Sequence, residues 1–140
     1  VLWDIQSVIT SGEPIFLTGD FNEPSHLDWT KEATQAGLHP LKVAFPTSIQ
    51  VTEAGLKDAF RQLYPDPVAV PGFTWPAGTY PETPDSSVTD PADRIDFVYF
   101  TGKKVKVKNV QRIGEASETS DISFPKYPSD HRAVLVTFDL

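Results

Sequence analysis

The run Arg94-Ile95-Asp96-Phe97-Val98-Tyr99-Phe100 places a carboxylate inside an otherwise apolar and aromatic stretch. The composition of the run favours a strand, and a carboxylate carried into such surroundings is costly unless it has a partner. The fold must therefore bring Asp96 a polar or cationic group. Two other hydrophobic runs offer such groups at their ends. Ile15-Phe16-Leu17-Thr18-Gly19-Asp20-Phe21-Asn22 passes through a glycine, which permits a tight exit, into Asp20 and Asn22. If the backbone there stays extended, those two side chains project on one side. Ser129-Asp130-His131-Arg132-Ala133-Val134-Leu135-Val136 presents Asp130 and His131 at the head of another strand.

Convergence of the three ends gathers acid, amide and imidazole groups, the set that metal-assisted cleavage of a phosphate ester requires. Each residue also has a plainer use. Asp20 serves equally as a turn residue after a strand, and His131 alone as an ordinary surface or core histidine. Arg94 either grips a substrate phosphate bidentately or pairs with Asp93 or Asp90 at the surface. Thr74 and Trp75 either line the cleft or anchor a proline-rich loop by packing. His26 reads better as a solvated loop histidine than as a substrate contact, and Glu23 as no more than a makeshift metal ligand.

Gly-Asp-Phe-Asn at 19–22, Arg-Ile-Asp-Phe-Val at 94–98 and Ser-Asp-His-Arg at 129–132, in that order, resemble signatures of the endonuclease/exonuclease/phosphatase superfamily, and Phe73-Thr74-Trp75 falls where that family often has an aromatic-flanked threonine. The resemblance implies an α+β chain forming half of a DNase I-like four-layer αββα sandwich, with one mixed or antiparallel sheet and helices on one face. It also implies Mg²⁺, with Mn²⁺ as a substitute. In the roles it implies, Asp20 orients or deprotonates the attacking water and contributes to the metal site, while Asn22 holds a phosphoryl oxygen. Asp130 lies nearest the metal, His131 faces the phosphate, and Asp96 fixes the tautomer of His131. The family's domain is about twice this length and carries a further strand-borne Glu and a second His, neither of which precedes Ile15 here. The chain starts at Val1 and has no methionine. Residues 1–140 are thus expected to be the C-terminal part of one domain, weak or inactive in isolation, that docks on its N-terminal half or self-associates through an uncovered face formed by Phe16, Phe97, Tyr99, Val134 and Val136.

Along the chain, residues 1–9 read as the end of a helix with Val1, Ile5, Val8 and Ile9 on one face and Ser11-Gly12 as its stop. A helix is expected over 27–36, capped by Ser25 with Asp28 in its first turn, and another over 52–64 with a stripe of Leu56, Ala59, Phe60 and Leu63. Residues 66–93 read as loop. Strands follow at 96–100, around Val105, Val107 and Val110, and at 133–138, with Gly102-Lys103 as a tight turn joining the first two as a hairpin.

The 140 residues are 39% hydrophobic, enough for one core, and the net charge of −7 argues against a grip on duplex nucleic acid through many phosphates. The alternating Lys103-Lys104-Val105-Lys106-Val107-Lys108 suits a strand with one wet face better than a phosphate-binding patch. Absence of cysteine removes disulfide and thiol chemistry, and no stretch is long enough to span a membrane. A small or lipid-linked phosphate ester is the favoured substrate, with nucleic acid as the alternative within the enzyme reading. From another class, a non-catalytic half-domain used for binding or assembly is the rival. The likeness to bacterial secreted family members favours export.

Overall fold

The computed structural model describes residues 1–77 and 92–140. Its elements run α1 (Leu2–Ser11), β1 (Ile15–Asp20), α2 (Lys31–Gln35), α3 (Pro46–Glu53), β2 (Lys57–Asp58), α4 (Ala59–Leu63), β3 (Asp96–Thr101), β4 (Lys106–Gly114), β5 (Ile122–Ser123) and β6 (Ala133–Asp139). This is an α+β chain. Its strands form two three-stranded sheets, ordered β1-β3-β2 and β5-β4-β6, where one sheet was expected.

The register of β1 on β3 is antiparallel and unbroken from Ile15 opposite Thr101 to Asp20 opposite Asp96. Alternation along β3 then feeds two cores. Phe97 and Tyr99 cluster with Val51 and Leu56, against which Leu2, Ile9, Ile15, Leu17 and Phe21 pack. Phe100 joins Ala59 and Val105, with Val98, Val107, Val136 and Phe138 around them. The single face expected from Phe16, Phe97, Tyr99, Val134 and Val136 therefore does not exist. Phe97 and Tyr99 are buried on one side of β3, whereas Phe16 lies on the other, 4.8 Å ring to ring from Phe138.

Gly102-Lys103 makes no hairpin ladder, because β3 and β4 belong to different sheets. The turn instead hands the chain from one sheet to the next, and Lys103 N donates to Gly12 O. The exposed lysines of β4 form its wet face as expected, Val105 and Val110 being buried on the other.

Three helical expectations change. In α1 the half-buried residues are Leu2, Ile5 and Ile9, while Val1 and Val8 face solvent; Gly12 closes the helix in the left-handed region at φ 82°. The helix expected over 27–36 shrinks to α2, capped by Thr30 whose side chain accepts from Ala33 N. Ser25 and Asp28 are buried before it. The helix expected over 52–64 is interrupted: Gly55 at φ 102° turns the chain into β2, and Asp58 then caps the short α4 by accepting from Phe60 N and Arg61 N. A hydrophobic stripe alone did not reveal that break, since Leu56, Ala59 and Phe60 are buried in either arrangement.

Candidate active site

Antiparallel pairing sets Asp20 directly opposite Asp96 at the open end of the β1–β3 ladder. Like charges opposed across a strand pair repel, so this junction favours a nearby cation. Residue 131, just ahead of β6 in the second sheet, supplies an imidazole: His131 Nδ1 lies 2.9 Å from Asp96 Oδ2. Ligand atoms of Asp20, Asp96 and His131 all fall within 4.8 Å of one another. The site thus straddles the two sheets, half-buried at Asp96 and His131 and open to solvent at Asp20.

Partial burial by itself disfavours a charged His131. The hydrogen bond and charge of Asp96, with Asp20 and Asp130 behind it, outweigh burial and raise its pKa above the ordinary histidine value. With Asp96 accepting, Nδ1 carries the proton and Nε2 is left for other work.

Asn22 departs from the extended backbone expected of it. It adopts φ 49°, and its N–H donates to Asp20 Oδ1 at 2.7 Å, closing a turn directly after the strand. Asp130 is near enough to raise His131 electrostatically, but it is not in the three-residue cluster. Thr74 is fully buried. Trp75 is half-buried and bridges backbone to backbone with Asp93. Glu23 is committed to α3, where it accepts from Thr47 N at 2.8 Å and from the Thr47 hydroxyl at 3.1 Å, a favourable place for a carboxylate at a helix N-terminus. His26 pairs with the buried Ser48 hydroxyl at 2.8 Å, and burial lowers its pKa against the pull of Asp28, Asp58 and Glu53.

Arg94 neither reaches the cleft nor pairs at the surface. It is 2% exposed, bonded to Asp28 Oδ2 at 3.0 Å and to Asp58 Oδ2 at 2.6 Å, while Asp90 lies outside the described residues. Arg61 Nε reaches the same Asp28 at 2.6 Å. Burial opposes the Arg94 charge, but Asp28 and Asp58 reverse that and hold its pKa above the ordinary arginine value. This four-residue ion cluster anchors β3 immediately beside Asp96. Nothing in local spacing announces it, because its ion pairs join residues 33 to 66 positions apart. Arg132, also absent from the expected site, is buried and bonds Glu115 through two nitrogens.

The carboxylates of Asp20 and Asp96, opposed on one ladder, are oxygen donors that suit a hard divalent cation such as Mg²⁺ or Mn²⁺, with water completing the coordination. A cation there also relieves the Asp20–Asp96 repulsion.

Over residues 3–131 the chain matches the Endonuclease/Exonuclease/phosphatase family, and it belongs to that family. It is 35% identical over 130 residues to "Uncharacterized protein F14F9.5" of Caenorhabditis elegans, an alignment covering 89% of this chain and 40% of that protein. The chain therefore spans less than half the length of this relative. A nematode relative lends no support to the expected bacterial origin. No solved structure matches the chain.

Proposed function

We propose that this chain carries part of the active site of a divalent-metal-dependent phosphoesterase, one that hydrolyses a phosphodiester or phosphomonoester. The Asp96–His131 bond set opposite Asp20 carries this reading, and family membership supports hydrolytic chemistry in general. Asp20 and Asp96 would hold Mg²⁺ beside His131, and when bound it would offset charge on the phosphoryl oxygens and favour ionisation of water. Asp96 accepts the Nδ1 proton and so fixes the ring of His131. His131, held by Asp96 through Nδ1, donates from Nε2 to a phosphoryl or leaving oxygen. Asp20 has one carboxylate oxygen occupied by the Asn22 amide and uses the other to orient or deprotonate water. The exposed Asn22 would offer its carboxamide as a phosphoryl contact.

A small or lipid-linked ester suits the net charge of −7 better than a polyanionic nucleic acid does. Hydrolysis of bis-p-nitrophenyl phosphate and p-nitrophenyl phosphate by the longest natural form of the protein, with and without Mg²⁺, tests the reading. Metal-dependent turnover that His131→Ala abolishes is expected. Turnover unaffected by EDTA, or none in either variant or parent, overturns it. The isolated chain is expected to turn over poorly.

A further inference from the structure

The segment 73–77 crosses between the sheets where Asp96 and His131 meet, and its polar groups are used in an unusual way. Thr74 is fully buried. Its Oγ1 accepts from two successive amides, Ile95 N at 3.1 Å and Asp96 N at 3.2 Å. The short β2 pairs only with Phe100 and Tyr99, so the first residues of β3 extend beyond it. Buried backbone N–H groups need acceptors, and here one side-chain oxygen serves both. The same segment holds the other partner of the dyad from either side: Thr74 O accepts from Arg132 N at 2.7 Å, and Ala77 N donates to Asp130 O. Phe73 O also accepts from the Arg132 guanidinium at 3.3 Å.

We propose that Thr74 is the positioning residue of the Asp96–His131 dyad, pinning the Asp96 backbone through its hydroxyl and the His131 strand through its carbonyl. Thr74 touches neither substrate nor metal in this role. Its effect passes through the 2.9 Å bond between His131 Nδ1 and Asp96 Oδ2, which joins two different sheets and no shared ladder. With Oγ1 removed, the Ile95 and Asp96 amides lose their acceptor and the start of β3 is free to shift. Outer partners of this kind are typically worth about ten- to a hundredfold in activity.

The proposal rests on the phosphoesterase reading for its consequence in catalysis, but the geometry is tested apart from it. The chain has three histidines, so ¹⁵N-histidine labelling resolves the His131 ring. In the parent protein the ring should carry its hydrogen-bonded proton at Nδ1, and the Ile95 and Asp96 amides should exchange slowly with solvent. Thr74→Val should mobilise or redistribute that proton and lower kcat by about ten- to a hundredfold at nearly unchanged KM, whereas Thr74→Ser, which keeps the hydroxyl, should restore both. Fast exchange of the two amides in the parent protein overturns the proposal even if Thr74→Val does not fold. An unaltered His131 ring in folded Thr74→Val, or Thr74→Ser as impaired as Thr74→Val, overturns it as well. A parent protein without hydrolytic activity but with the expected ring and exchange behaviour defeats the phosphoesterase reading and leaves the positioning role standing.

Discussion

Asp96 touches His131 and also stands opposite Asp20, so one substitution separates an orienting role from a metal-binding one. Asp96→Asn frees His131 to take the wrong tautomer, and a general acid–base group is typically worth about a hundred- to ten-thousandfold in rate. We expect kcat of the active protein to fall within that range, with His131→Ala adding little to it because the two act as one unit. Full recovery of kcat at saturating Mg²⁺ would instead make Asp96 chiefly a ligand. His39 gives a prediction about stability. It stacks on Trp29 at 4.3 Å, and burial lowers its pKa against the pull of Asp93 and Asp28. Asp93 Oδ1, 4.0 Å from His39 Nδ1, is too distant for a hydrogen bond. The unfolded chain takes up this proton first, so the stability from a neutral His39 is complete above about pH 6.5 and lost as pH falls below it. His26 acts in the same sense. His131, whose pKa is raised, stabilises below about pH 6.5, and its contribution fades as pH rises through its folded value. Melting temperature measured from pH 8 to 5 should decline on the acid side, and His39→Gln should flatten that decline; an unchanged slope contradicts it. The dyad could be anticipated at this scale because a carboxylate in an aromatic strand demands a partner. The fate of Arg94 could not, since its competitors Asp28 and Asp58 are distant in sequence.

Single elements are held by polar pins as much as by apolar stripes. Asp28 receives both Arg61 and Arg94 in the interior. Asp28→Asn leaves two buried guanidinium groups short of an anion, and breaking such a pair typically costs about 3–5 kcal/mol. Urea unfolding should show a loss of that size; a change below about 1 kcal/mol, the scale of exposed pairs, would make the cluster incidental. Gly55 is the second pin. Its φ of 102° is adverse for any side chain, and an added Cβ would lie 3.3 Å from Ile9 Cγ2. Gly55→Ala is expected to cost about 1–3 kcal/mol by strain at that position, measurable in the same experiment. These pins explain which elements were legible. β1, β3 and β6 follow from alternation and composition, and β1 and β3 carry Asp20 and Asp96 where expected. The helices over 27–36 and 52–64 were not legible, because Ser25 and Asp28 are drawn into the interior and because a glycine in an amphipathic stretch reads as tolerable until its φ is known.

For the whole molecule, the two sheets matter more than either alone. The three segments ending in Asp20, Asp96 and His131 do meet, but a hairpin between β3 and β4 would have put them in one sheet. The separation into two sheets makes Asp96–His131 an inter-sheet contact, and the 73–77 segment ties it across the gap. No helix among the described residues is long and apolar enough to cross a membrane. Exposed apolar groups among the described residues include Trp3, Phe16, Phe124, Leu135 and Leu140, and of these Phe16 alone belongs to the sheet face expected. The central claim is that Asp20 and Asp96 form a divalent-cation site beside His131 serving phosphate-ester hydrolysis, and its most direct test is a Mn²⁺ titration of the ¹⁵N-labelled chain followed by paramagnetic broadening. With only two carboxylates, affinity should be weak, on the order of millimolar. Amides of Asp20, Phe21, Asp96 and His131 should broaden first, and Asp20→Asn should abolish that selectivity. Broadening spread evenly over the acidic surface, or centred away from these residues, would contradict the account.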